Sequence, residues 1–382
     1  MRFGITFYPD QWPESYWDEA FNKIADLGFE LVRFNEMTWP LLEPKPGFYN
    51  FHWLDKALNL CEKHNLKVVL GTAVVQAPQW LIHKHPEILP VANDGQIHPP
   101  YGPRFNFCRD NHTYRKFALR LADKIAKRYA HHPALSMWQL DNEPSYPPLD
   151  ICENKDWCHC KATQKAFQHW CQKKYKNIKN LNQAWGTKFW SITFNNFLQI
   201  TPPKSGMWGA GNPHIYLDWC RFKSESLSEW LLTLKRTVRL HDRKHKIGTN
   251  SFTSIPNRIP DHEVLSQNLD WFGWDIYPVA TGNSDESLCQ IADYWRSICS
   301  LHESEFVVCE LQAGQTVRWG NPKSLHQDEM KNWVKILPEP PRSGKTRCRH
   351  LTTIRILRPR SQKGALLNCE KESFPRRVRR EF

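Results

Sequence analysis

Two glutamates stand out by their surroundings: Glu143 in Trp138-Gln139-Leu140-Asp141-Asn142-Glu143-Pro144, and Glu310 in Phe306-Val307-Val308-Cys309-Glu310-Leu311-Gln312. Each ends a strongly apolar, strand-like run. Cleaving a glycosidic bond requires a proton for the leaving oxygen and stabilisation of an oxocarbenium-like centre, so two carboxyl groups flanking the bond suffice without a cofactor. Two such groups held close together also push their pKa values apart, leaving one protonated as the acid and one ionised as the nucleophile. The alternative for arbitrary strand-end glutamates is a pair of polar residues engaged in salt bridges.

The elements that must position them follow from periodicity. Seven short apolar runs read as strands: Phe3 to Tyr8, Leu31 to Asn35, Val68 to Ala73, Ser136 to Asp141, Ile247 to Ser251, Trp271 to Tyr277 and Phe306 to Leu311. Between and after them lie helical patterns at about 15–28, 52–65, 112–131, 161–176, 215–242, 286–302 and 325–337. This alternation predicts an α/β fold, a (β/α)₈ TIM-type barrel whose catalytic residues gather at the C-terminal ends of the strands. Strands four and seven face each other across the mouth of such a barrel, which lets Glu143 and Glu310 approach to about 5 to 5.5 Å, the separation of a retaining mechanism. Other strand ends are polar or aromatic too: Asn35-Glu36, Asn250-Ser251 and Asp275-Ile276-Tyr277-Pro278. Singly these read equally well as turns and helix caps. A Cys- and Trp-rich stretch from Tyr146 to Met207 interrupts the rhythm and reads as an insertion after strand four.

Composition excludes several classes. The 382 residues are 40% hydrophobic and 24% charged, which rules out disorder along the whole chain. No uncharged apolar run approaches the roughly 18 residues needed to span a bilayer, and the start of the chain lacks a signal-like apolar segment, so no membrane association and a cytoplasmic location are expected. The net charge of +13 invites a nucleic-acid reading, but residues 341–382 hold 13 Lys plus Arg against 3 Asp plus Glu, whereas residues 1–340 hold 39 against 36. The body is nearly neutral. The basic tail has only Phe374 and Phe382 for stacking and no recognisable motif, so no specific nucleic-acid partner is expected.

The resemblance carried by particular segments is specific. Tyr8-Pro9-Asp10-Gln11-Trp12-Pro13, Leu41-Leu42-Glu43-Pro44, Ala77-Pro78-Gln79-Trp80-Leu81, His85-Pro86-Glu87-Ile88-Leu89-Pro90, Trp138 to Glu143 and Ala184-Trp185-Gly186-Thr187-Lys188-Phe189-Trp190-Ser191 resemble, in order, the motifs of glycoside hydrolase family 42 β-galactosidases. The likeness runs from residue 1 to about 336. It implies that Glu143 is the acid/base and Glu310 the nucleophile. It also implies that Arg104 and Asn142 hold galactose hydroxyls, that Tyr277 sits beside the nucleophile, and that Trp190 and Trp319 wall the sugar pocket. A terminal β-D-galactosyl substrate and a homotrimer are further implications.

In many members of that family four thiolates bind a structural zinc. Cys108, Cys158 and Cys160 match three of them, while Thr163 stands at the fourth position. A hydroxyl is a poor zinc ligand, so the set is broken as written, and Cys152 or His159 is left as the alternative fourth ligand. The other cysteines, Cys61, Cys171, Cys220, Cys289, Cys299 and Cys309, read as small buried hydrophobes.

After Leu337 the barrel pattern stops. Pro338-Glu339-Pro340-Pro341-Arg342-Ser343-Gly344 breaks secondary structure, and no eighth strand with a polar catalytic end follows. The chain therefore divides into an incomplete barrel at 1–337 and a disordered or non-native basic tail at 338–382, as a truncated or frame-shifted gene would produce. Nucleotide sequence encoding the missing strand in another frame would support that origin. Without a partner on that side, strands one and seven are left as open edges, and Leu351 to Leu357 is the segment available as a surrogate strand. A catalytically inactive relic is the alternative to an active galactosidase.

Overall fold

The computed structural model describes residues 2–101, 105–146, 155–204, 212–251, 259–278, 282, 284–313, 316–318, 321–323 and 351–356. Seven parallel strands appear where the periodicity places them: β1 (Arg2–Thr6), β2 (Leu31–Phe34), β3 (Lys67–Gly71), β4 (Leu135–Gln139), β5 (Lys246–Ser251), β6 (Trp271–Ile276) and β7 (Glu305–Ala313). Each pairs with the next in parallel. A small antiparallel hairpin of β8 (Thr316–Arg318) and β9 (Asn321–Lys323) follows.

The ring is completed by β10 (Leu351–Ile356), which pairs in parallel with β1 on one side and β7 on the other. The segment that sequence alone offers as a surrogate thus takes the eighth position. These six residues are the described part of the 338–382 segment, the rest of which lies outside the described residues. The expected helix at 325–337 lies outside the described residues.

Long helices cover the outside of the ring, at Trp17–Asp26, His52–Lys63, His112–Tyr129, Pro213–Arg239 and Asp285–Leu301. Their starts carry side-chain caps where the sequence supplies them. Asn111 accepts from the Thr113 and Tyr114 amides, Asn212 from His214 and Ile215 with Pro213 in the first turn, and Ser284 from Ser287. Each helix buries one apolar stripe, as Ala20, Phe21 and Ile24 do on the first. No helix among the described residues is long and apolar enough to cross a membrane.

Inside the ring the two-residue alternation of strands separates an apolar floor from a polar rim. Leu31, Val69, Met137, Trp271, Val307 and Cys309 form the floor. Gly248 is needed there, because a Cβ would lie 2.0 Å from the Trp271 carbonyl oxygen and 2.3 Å from its indole ring. Two residues further along β2 and β4 come Arg33 and Gln139, and two beyond Gly248 comes Asn250. A register irregularity between β6 and β7 advances β7 from Val308 to Glu310 while β6 moves only from Trp274 to Asp275. Such a bulge re-aims a side chain, and it sets Glu310 level with Asp275.

The insertion after β4 forms helices at Lys161–Tyr175 and Ile178–Trp185. They pack Phe167, Cys171, Leu181 and Trp185 against Trp219 and Phe222 of the long helix. Asp218 anchors this layer, accepting from the Trp185 indole at 3.0 Å and pairing with Lys174 at 2.5 Å.

Candidate active site

Glu143 lies four residues past Gln139, the last residue of β4, in a left-handed backbone conformation with φ of 47°. For a residue with a side chain this conformation costs on the order of 1–3 kcal/mol and persists only where neighbours over-determine it. Those neighbours are present. Asn250 accepts the Glu143 amide at 3.1 Å, the Asn142 amide donates to Asp141 Oδ1 at 2.8 Å, and Asp141 is held by the Arg109 guanidinium at 3.1 Å.

Glu310 is fully buried. Arg33 donates to its Oε1 at 2.7 Å, and the Tyr277 hydroxyl donates to its Oε2. One carboxylate oxygen from each of Glu143, Asp275 and Glu310 lies within 4.8 Å of the others. The two glutamates are therefore as close as a retaining pair requires. Asn142 sits between the parts: its Oδ1 accepts from Arg33 and from Asn250 at 2.9 Å, and its Nδ2 faces Glu143 Oε2 at 3.4 Å.

Electrostatics follow from one buried cation among several carboxyls. Arg33 bonds Glu36 at 2.7 Å as well as Glu310, and also meets Gln139 and Thr6. Burial disfavours its charge, but Glu36, Cys309 and Glu310 outweigh burial and hold the guanidinium protonated. Asp275 accepts from Asn250 at 2.6 Å through Oδ2, while its Oδ1 has no hydrogen-bond partner among the described residues. Burial, then Glu310 and Glu143, push the Asp275 carboxyl well above the usual carboxylate range. Of the three carboxyls, Asp275 is the one whose protonated form its burial favours.

The structure brings together Glu143, Glu310, Asn142 and Tyr277 from the sequence-derived set, and gathers the polar strand ends Glu36, Asn250 and Asp275 around them. Trp190 falls in the 3-10 turn Phe189–Ser191. Arg104, Trp319 and Cys152 lie outside the described residues. Sequence reasoning overlooked Arg33 and Gln139. The signal for Arg33 was a single cation inside the apolar run Leu31-Val32-Arg33-Phe34, where a buried charge demands a partner.

Away from the mouth, the Sγ atoms of Cys108, Cys158 and Cys160 lie within 4.8 Å of one another and all three residues are buried. Thr163 turns its hydroxyl into the group, 3.1 Å from Cys108 Sγ and 3.4 Å from Cys160 Sγ. His159 is engaged elsewhere: its Nε2 meets Asp156 at 2.9 Å and its ring packs on Trp219. Cys61, Cys171, Cys299 and Cys309 are buried as expected, whereas Cys220 is half-buried and Cys289 exposed on a helix surface.

Known proteins are similar to this chain in both sequence and fold. A β-galactosidase of a Thermus species is 35% identical over 276 residues, covering 72% of this chain and 41% of that protein. The crystal structure of a β-galactosidase from the psychrophilic Marinomonas ef1 superposes with a TM-score of 0.80 at 27% identity, covering 88% of this chain and 52% of the other. That of the Antarctic haloarchaeon Halorubrum lacusprofundi gives 0.81 at 27%, covering 93% and 52%. The chain thus spans about half the length of the relatives it matches. With the family model for glycoside hydrolase 42, described as β-galactosidase, matching residues 6–336, the chain belongs to that family.

Proposed function

We propose that this chain hydrolyses terminal β-D-galactosyl residues with retention of configuration. The observation that supports it most is the approach of the Glu143 and Glu310 carboxylates to within 4.8 Å across the barrel mouth. Glu310, ionised and held by Arg33 and Tyr277, attacks the anomeric carbon from one face. Glu143 delivers its proton to the glycosidic oxygen as the C–O bond breaks, and a galactosyl ester on Glu310 results. Glu143, now a carboxylate, takes a proton from water, which attacks the same carbon and releases Glu310. Asn142, with its Oδ1 drawn inward by Arg33 and Asn250, leaves its amide N–H groups facing the acid/base and the sugar.

The test is hydrolysis of an aryl β-D-galactoside by the purified chain, with the first-formed anomer followed by NMR. β-D-Galactose is expected as the initial product. An α-anomer released first, or no hydrolysis by a soluble folded chain, would count against this reading, and the second result would favour the inactive relic.

The thiol cluster has its own expectation. Three buried sulfurs at these spacings match three corners of a structural zinc site, and Thr163 faces the fourth. Cys108, Cys158 and Cys160 would hold the ion, which would tie the insertion to the barrel and take no part in catalysis. Chain purified from zinc-supplemented medium is expected to carry about one zinc, lost in Cys158→Ser; a zinc-free protein of unchanged stability would identify a plain thiol cluster.

A further inference from the structure

We propose that Arg109 is a positioning residue for proton transfer by Glu143. It rests on the reading of Glu143 as the acid/base. One guanidinium grips the chain on both sides of that residue. Its Nε and Nη2 donate to Asp141 Oδ2 at 3.2 and 3.1 Å, two residues before Glu143, and its Nη1 donates to the Ser145 carbonyl, two residues after it. Asp141 in turn fixes the Asn142 amide through its other oxygen at 2.8 Å, and the Trp230 indole adds a bond to Oδ2 at 3.3 Å.

The grip is built to be rigid. Arg109 is 3% exposed, and its guanidinium lies 5.0 Å and 4.9 Å from the ring centroids of Phe105 and Phe107. Stacked and desolvated, the cation has Asp141 as its ion partner, so the fork geometry and not the charge alone defines the loop. Glu143 needs such a frame, because its left-handed backbone relaxes when its flanks are freed. The strain is localised on the acid/base. Glu310 is held by a different cation, Arg33, so loss of Arg109 should impair protonation of the leaving group and leave nucleophilic attack intact.

That selectivity is the readout. Methyl β-D-galactoside leaves as a poor, strongly basic alkoxide and needs the proton; 2,4-dinitrophenyl β-D-galactoside leaves as a stable phenolate and does not. The kcat/KM of a retaining enzyme reports bond breaking to the first leaving group only. For Arg109→Met, kcat/KM on the methyl galactoside is expected to fall about 10²-fold, while that on the dinitrophenyl galactoside stays within about threefold. Arg109→Lys, which keeps charge without the fork, is expected to fall about tenfold on the methyl substrate alone and decides the matter if the Met variant does not fold. Equal losses on both substrates would mean that Arg109 only supports the fold, and unchanged values on both would remove any role; either overturns the proposal. Glu143→Gln measured beside them must show the same discrimination more strongly. If it does not, Glu143 is not the acid and the assignment beneath the proposal fails instead.

Discussion

Glu310→Gln is expected to lower kcat/KM for an aryl β-D-galactoside by on the order of 10⁴-fold or more, with little change in thermal stability. The amide keeps the size of the carboxylate and retains an oxygen that accepts from Arg33 at the place of Oε1. It loses the charge that makes a nucleophile. Arg33 keeps its ion pair with Glu36 at 2.7 Å, so the buried cation is not orphaned by the change. Loss of activity with an unaltered circular dichroism spectrum and melting temperature therefore isolates the chemical step. Residual activity within about tenfold of the parent would remove Glu310 from the nucleophile role.

The largest loss of stability is expected for Arg33→Met, about 3–5 kcal/mol, because removing one partner of a buried ion pair strands the charge of the other. Arg33 is 1% exposed and reaches Glu36, Glu310, Gln139, Asn142 and Thr6, so one side chain links β1, β2, the residues after β4, and β7. Methionine fills most of the volume but leaves Glu36 and Glu310 facing each other without a cation. Their carboxyls would then bind protons in the folded state, and activity on galactosides should fall together with stability. Urea unfolding checks this; a change below about 1 kcal/mol would show that solvent reaches the pair and that the ion pair is not a fold determinant.

How much of this was legible in the sequence depends on the physics of each part. The seven strands and the long helices came through because their periodicities of two and 3.6 extend over several turns or alternations, and because parallel strands buried on both faces read as apolar runs. Glu143 and Glu310 were visible as charges ending such runs. Arg33 was harder to see because its meaning is entirely non-local: its partners lie as far along the chain as Glu310, and only closure of the ring brings them together. Asp275 was noticed as a strand end, but its raised carboxyl pKa comes from burial and from the bulge that sets Glu310 beside it, and no local pattern announces either. The short helices at Gln79–Lys84, Ile178–Trp185 and His262–Asn268 were not anticipated, since six to eight residues scarcely establish a period.

The ring closure also sets an order in time. Arg2 pairs with Leu351, so β1, made before the other strands of the ring, waits for its second neighbour until nearly all of the described chain has been made. At 5–20 residues per second that interval is roughly 20 to 70 s, during which β1 and later β7 each present an unpaired row of backbone groups. The barrel cannot close as it is synthesised. Until then the sheet has two open edges, so the yield of folded chain is expected to rise at lower expression temperature or with added chaperone, which expression trials check.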